Sequence, residues 1–158
     1  MSFENAKKHI EKYNLSDKIK VFDVSSATVA LAAQAIGCEE ARIAKTLSFY
    51  GNDGAILIVA AGDARTDNRK FKDTFGMKAK MLSPEDAKNL IGHEVGGICP
   101  FGIKETAKVY LDKSLKRFDT VYPACGSSNS AVELTIAELE KVSEYVKWVD
   151  VCKQPEGE

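Results

Sequence analysis

In "ARIAKTLSFYGNDGAILIVAAG", residues 41–62, a lysine stands at the entrance to a run that otherwise looks built for burial. An ammonium there can do one of two things. Lys45 can lay its stem along apolar surface with its head in water, or it can sit at a pocket mouth and hold a phosphate, a ribose hydroxyl or a developing oxyanion. A second chemical candidate is "VGGICPFG", residues 95–102, where Gly96, Gly97, Pro100 and Gly102 leave a backbone with little side-chain cover and exposed amides. Such a chain admits close approach of a ligand, or answers a turn's need for glycine. It is no nucleotide-phosphate loop, because no lysine followed by serine or threonine completes it.

A third stretch, "PACGSSNSAVEL", concentrates Ser127, Ser128, Asn129 and Ser130, a composition typical of turns. A serine or cysteine nucleophile needs a base, and the only histidines are His9, on a helix expected at the surface, and His93, just past a helix end; both are expected to be solvent-exposed. A hydrolase using Cys99, Cys125 or Ser127 is therefore the weakest of the catalytic readings. Cys38, Cys99, Cys125 and Cys152 are too far apart in sequence for a zinc-ligand or dithiol motif and read as free, mostly buried thiols. No metal and no cofactor is expected. The charged run "GDARTDNRKFK", residues 62–72, reads as a solvated helix face or, with Lys45 and Lys104, as a small patch for a few phosphates.

The elements that must position these residues follow from periodicity and punctuation. "FENAKKHIEKYN" has Phe3, Ala6, Ile10 and Tyr13 at helical spacing, and "KIKVFDV" alternates as a strand. "SSATVALAAQAIG" is a helix with Ser25 or Ser26 as its cap and Gly37 as its stop. Strands at about 44–50 and 54–61 flank the hairpin turn "GND". Asp67 caps a helix closed by Gly76, "KAKML" is a short strand, and Ser83 with Pro84 opens a helix closed by Gly92. Extended segments follow at 107–112, 118–124 and 131–136, then a helix capped by Thr135 with Glu138 and a final strand "KWVDVC". The sum predicts an α/β (α+β) fold, a mixed, partly barrel-like β-sheet surrounded by helices, as one domain over 1–152 with a disordered tail at 153–158.

Composition narrows the function classes. The 22 Lys and Arg against 23 Asp and Glu supply no global field toward nucleic acid or anionic membrane, so any such contact is local. The longest apolar run, "AILIVAA", is too short to span a bilayer, and the amino terminus has no basic-then-apolar segment, which predicts a cytoplasmic protein without membrane association.

Taken in order, "AKTLSF", the apolar strand, "TDNRKF", "VGGICPFG" and "FDTVYPACGSSNSAVEL" resemble the YbaK and prolyl-tRNA-synthetase-associated domain family over roughly residues 18–152. Members of that family are trans-editing aminoacyl-tRNA deacylases, which hydrolyse the ester of a mischarged tRNA, or editing insertions within a synthetase. The resemblance implies that Lys45 is the functional lysine, its ammonium binding the terminal adenosine's ribose or phosphate region and orienting the ester. It implies that Gly96, Gly97, Pro100 and Gly102 shape the amino-acid pocket and help polarise the ester carbonyl, with Thr46, Phe22 and Thr28 as neighbours. The implied partner is a tRNA acceptor end carrying a small amino acid such as serine, threonine, alanine or cysteine, with an aminoacyl-tRNA synthetase as a further partner. An aminoacyl ester is already activated, so held water and the substrate's own ribose hydroxyl can serve without a nucleophilic triad. Ala131 stands where the cysteine-specific branch has an aspartate, and the late histidine of the alanine-specific branch is missing, so neither label transfers. The rival reading is a binding module of the same fold without turnover.

Overall fold

Every residue of Ala-Ile-Leu-Ile-Val-Ala-Ala, strand β3 (Ala55–Ala61), is buried. A strand apolar on both faces belongs at the centre of a covered sheet, and the computed structural model, which describes residues 2–154, places it there. The other strands are β1 (Ile19–Val21), β2 (Ile43–Tyr50), β4 (Arg65–Thr66), β5 (Lys108–Asp112), β6 (Thr120–Pro123), β7 (Ser130–Val132), β8 (Leu134–Thr135), β9 (Lys147–Val149) and β10 (Cys152–Lys153). Six of them form one curled, half-barrel sheet in the order β8-β6-β2-β3-β5-β9. The hairpin pair β2 and β3 is antiparallel, with Lys45 opposite Ala60; β6 adds parallel to β2, β5 parallel to β3 and β9 parallel to β5, while β8 is antiparallel to β6. Two antiparallel ribbons, β1 with β7 and β4 with β10, complete the strands. Mixed sheet and helices are as the sequence predicts.

Among the described residues, five α-helices pack around the sheet: α1 (Ser2–Glu11), α2 (Val29–Ile36), α3 (Asn68–Phe75), α4 (Pro84–Leu90) and α5 (Ile136–Val142). The starts of α2, α3, α4 and α5 are side-chain capped. Asp67 accepts from the amides of Arg69 and Lys70, Ser83 from Asp86, and Thr135 forms a capping box with Glu138. For α2 the cap is Thr28, whose hydroxyl accepts from the Leu31 amide at 3.1 Å, rather than Ser25 or Ser26. Ser26 is engaged elsewhere: both its amide and its hydroxyl donate to the Ser128 carbonyl. An aromatic row, Phe49, Phe71, Phe75 and Tyr110, with ring centroids 4.7–4.9 Å apart, fastens α3 to the sheet.

Three predicted strands are cut short, each because the chain changes partner. "KAKML" makes only an isolated bridge, Phe49 to Met81, with the Lys80 carbonyl and Leu82 amide bonded to β2. Residues 131–136 break at Glu133 because β7 pairs with β1 whereas β8 pairs with β6, and Ile136 already begins α5. "KWVDVC" divides into β9 on β5 and β10 on β4, turning at Val151, whose amide donates to Asp112. Lys153, predicted as part of the tail, pairs with Arg65, and tail residues 155–158 lie outside the described residues. All four cysteines are free, three of them buried. Among the described residues, no helix is long and apolar enough to cross a membrane.

Both histidines depart from expectation. His9 is 9% exposed and His93 is fully buried. The Gly102 amide donates to His9 Nδ1 at 3.1 Å, so Nε2 carries the proton and donates to the Val142 carbonyl at 2.7 Å. A helix position that looked solvent-facing thus fastens α1 to the glycine loop and to the end of α5.

Candidate active site

Lys45 lies on β2 with its stem half-buried, and its Nζ donates to the carbonyls of Gly62, at 3.3 Å, and Ala64. An ammonium has three N–H donors. Two are held by the turn after β3, and the third has no hydrogen-bond partner among the described residues. Burial pushes the Lys45 pKa down, while the nearby Asp63 carboxylate opposes that shift. The turn is itself braced. Asp63 accepts two hydrogen bonds from the Arg117 guanidinium, at 2.6 and 3.1 Å, which holds its carboxyl below the usual range. Gly62 is required by close approach, since a Cβ there would lie 2.0 Å from the Glu40 carbonyl oxygen. The Asp63–Arg117 brace escapes sequence reasoning because its members are 54 residues apart.

Lys45 lines a cavity of about 230 Å³. Thr46 and Ser48 from β2, Thr28 at the start of α2, Gly96 from the glycine loop, and Ser26 and Ser130 also line it. Ser26, Ser48 and Ser130 are all buried and were not expected at the site; in sequence they are indistinguishable from turn and strand serines. Thr46 Oγ1 is sealed from solvent and has no hydrogen-bond partner among the described residues. Among the described residues, Lys45 and Tyr122 are the only lining groups that titrate as a base or phenol, and burial raises the Tyr122 phenol.

The structure therefore gathers Lys45, Thr46, Thr28 and Gly96 around one cavity and leaves the other predicted residues outside its lining. Phe22 exchanges hydrogen bonds with Asn129, its amide donating to the Asn129 carbonyl and its carbonyl accepting from the side-chain amide. Gly97 supports the loop from behind: a Cβ would meet the Ser127 amide nitrogen at 2.6 Å, so the two loops touch backbone to backbone. Pro100 and Gly102 line a different, larger trough of about 760 Å³ beside α1. The predicted phosphate patch disperses as well. Lys70 is paired with Asp150 at 3.1 Å, and Lys104 faces the larger trough.

The nucleophile candidates are poorly placed for chemistry. Cys99 Sγ lies 3.5 Å from His93 Nε2, but both residues are fully buried and Nε2 also contacts the Phe101 carbonyl at 2.7 Å. Burial drives the thiol pKa far up and the imidazole pKa down, the reverse of an activated thiolate–imidazolium pair. Cys125 is likewise pushed up to about 12 by burial. Ser127 Oγ bonds Asn129 and Ser130, with no histidine among its hydrogen-bond partners. Among the described residues no group of three or more His, Cys, Asp or Glu converges to hold a metal ion.

Residues 24–142 match the family model of the aminoacyl-tRNA editing domain. The chain belongs to that family. The editing domain has a close relative in YwhH of Bacillus subtilis (strain 168), an uncharacterized protein 54% identical over 154 residues, with 97% of this chain and 98% of that protein covered. It is also similar to the "Putative Cys-tRNA(Pro)/Cys-tRNA(Cys) deacylase EbsC" of Enterococcus faecalis (strain ATCC 700802 / V583), 28% identical with 82% of each chain covered. Among solved structures, the "putative trans-editing enzyme for prolyl tRNA synthetase" superposes with a TM-score of 0.86 at 28% identity, covering 96% of this chain and 97% of that one.

Proposed function

We propose that this editing domain is a trans-acting deacylase that hydrolyses the ester of a tRNA mischarged with a small amino acid. The observation that carries the reading is Lys45, a half-buried ammonium oriented by two carbonyls with one donor unpaired among the described residues, at the wall of a cavity of about 230 Å³. That volume is below the roughly 300–1,000 Å³ of drug-sized ligand pockets. It suits an aminoacyl group, with the terminal adenosine at the mouth. Thr46, Thr28 and Gly96 contact the aminoacyl end, and Gly97, Pro100, Gly102 and Phe22 act by shaping the loops behind it. Lys45 orients the ester and stabilises charge developing on it; water and the substrate's ribose hydroxyl supply the remaining groups. The reading carries a cytoplasmic location with charged tRNA as partner, an aminoacyl-tRNA synthetase being a second candidate.

One feature favours the rival, a binding module without turnover: among the described residues no carboxylate or histidine lines the cavity to act as a general base. The test is a panel of tRNAs charged separately with alanine, serine, threonine, cysteine and proline, incubated with the wild type and Lys45→Ala. We expect hydrolysis of one or two small aminoacyl esters, and a loss of about 100-fold or more in Lys45→Ala, the scale of removing one oxyanion donor, with the melting transition retained. Stability of every ester alongside saturable tRNA binding would establish the rival. Full activity in Lys45→Ala would remove the lysine from the mechanism.

A further inference from the structure

The larger trough beside α1 has no part in the chemistry at Lys45, yet its walls are built from lysines on two separate elements. Lys8 and Lys12, with Asn5, stand along one face of α1 and just beyond its end at helical spacing. Across from them Lys104 and Lys108 flank the start of β5. All four are exposed. Lys8, Lys104 and Lys108 have no carboxylate partner among the described residues, and Lys12 has only a 3.8 Å contact to Glu144. Two glutamates, Glu105 and Glu144, also line the trough; Glu144 is already approached by the Tyr13 hydroxyl at 2.6 Å and by His9 at 3.5 Å. The walls are fixed, because His9 bridges α1 to the Gly102 amide and the Val142 carbonyl.

The trough and the Lys45 cavity are joined by one loop. Gly96 lines the cavity and Gly102 lines the trough. Six residues of chain span at most about 22 Å even when extended, so the two sites are within reach of a single nucleic-acid end. Lysines on both walls suit phosphates as point charges, whereas protein-binding surfaces are depleted in lysine at their centres. We infer that this trough, Lys8, Lys12, Lys104 and Lys108, holds the RNA phosphate backbone leading away from the acceptor end seated at Lys45. The inference rests on the deacylase reading for the identity of the RNA and not for the binding itself.

The test neutralises Lys8, Lys104 and Lys108 together to glutamine in the full chain and compares it with Lys72, Lys78 and Lys88 neutralised together, exposed lysines that line neither cavity. Binding of uncharged tRNA is titrated against salt, and hydrolysis is followed on charged tRNA and on a short aminoacyl-adenosine. For the trough variant we expect affinity at low salt to fall about 10- to 100-fold and the log–log salt slope to shrink by about 2–3. Hydrolysis of the short ester should stay unchanged, and the control should bind as the wild type. If the trough variant binds tRNA normally, if both variants weaken equally, or if the loss is confined to binding of a protein partner, the inference is overturned. If the wild type hydrolyses no ester but shows the same trough-dependent binding, the deacylase reading fails and the trough assignment stands. Absence of any tRNA binding by the wild type overturns both.

Discussion

Thr46 neighbours Lys45 on β2, and its hydroxyl is sealed from water with no partner among the described residues. A buried unsatisfied hydroxyl costs about 1–3 kcal/mol relative to a satisfied one, so under the proposed function its place beside Lys45 trades stability for activity. Thr46→Val keeps the shape and removes the orphan. We expect it to raise unfolding stability by about 1 kcal/mol in a urea titration while lowering deacylation of the preferred ester. Unchanged activity with raised stability would take Thr46 out of the site. Lys45 itself was legible as a candidate because a cation opening an apolar strand is conspicuous. What it touches was not, because the carbonyls of Gly62 and Ala64 and the brace from Arg117 arrive through pairings that local sequence does not encode.

At the scale of elements, the β2–β3 hairpin carries the site, and α3 holds the hairpin's outer half in place through Phe71. Phe71 is fully buried, with its ring centroid 4.8 Å from Phe49 on β2 and 4.7 Å from Phe75. Truncation to alanine leaves a cavity under the strand that bears Lys45. Phe71→Ala should cost about 3–5 kcal/mol, measured by denaturant unfolding; a loss under 1 kcal/mol would mean that α3 is not what pins the sheet. The helix starts were readable because a capping side chain acts within three residues of itself. Strand ends were less so: β7 to β8 and β9 to β10 stop where the chain leaves one sheet for another, a decision made by partners far away in sequence.

For the molecule as a whole, acid stability should report on the buried His93. Burial depresses its pKa below the ordinary 6.5, so between the folded and unfolded values the unfolded chain binds more protons and stability rises with pH. The contribution is complete above about pH 6.5 and is lost as pH falls through the folded value, with a slope of at most about 1.4 kcal/mol per pH unit for one proton. Asp63 and Asp150 are shifted below 3.8, so their contributions vanish only at lower pH. Unfolding free energies of the wild type and His93→Gln between pH 7 and 5 should therefore diverge in slope, the variant being flatter. Parallel curves would show that His93 does not titrate with unfolding.

The sequence by itself determined the class of fold, the caps of three helices, the central hairpin and the lysine at its start, since each rests on spacing within a few residues or on the burial demanded by an apolar run. Its ordered motifs also pointed to the editing family. Tertiary structure alone decided that the glycine loop divides between two cavities, that Gly96 and Thr28 share a cavity with Lys45 while Pro100 and Gly102 line the trough with Lys8 and Lys12, and that both histidines are buried. A loop residue's neighbours are set by which distant backbone packs against it, and a helix position is buried only if another segment comes to cover it.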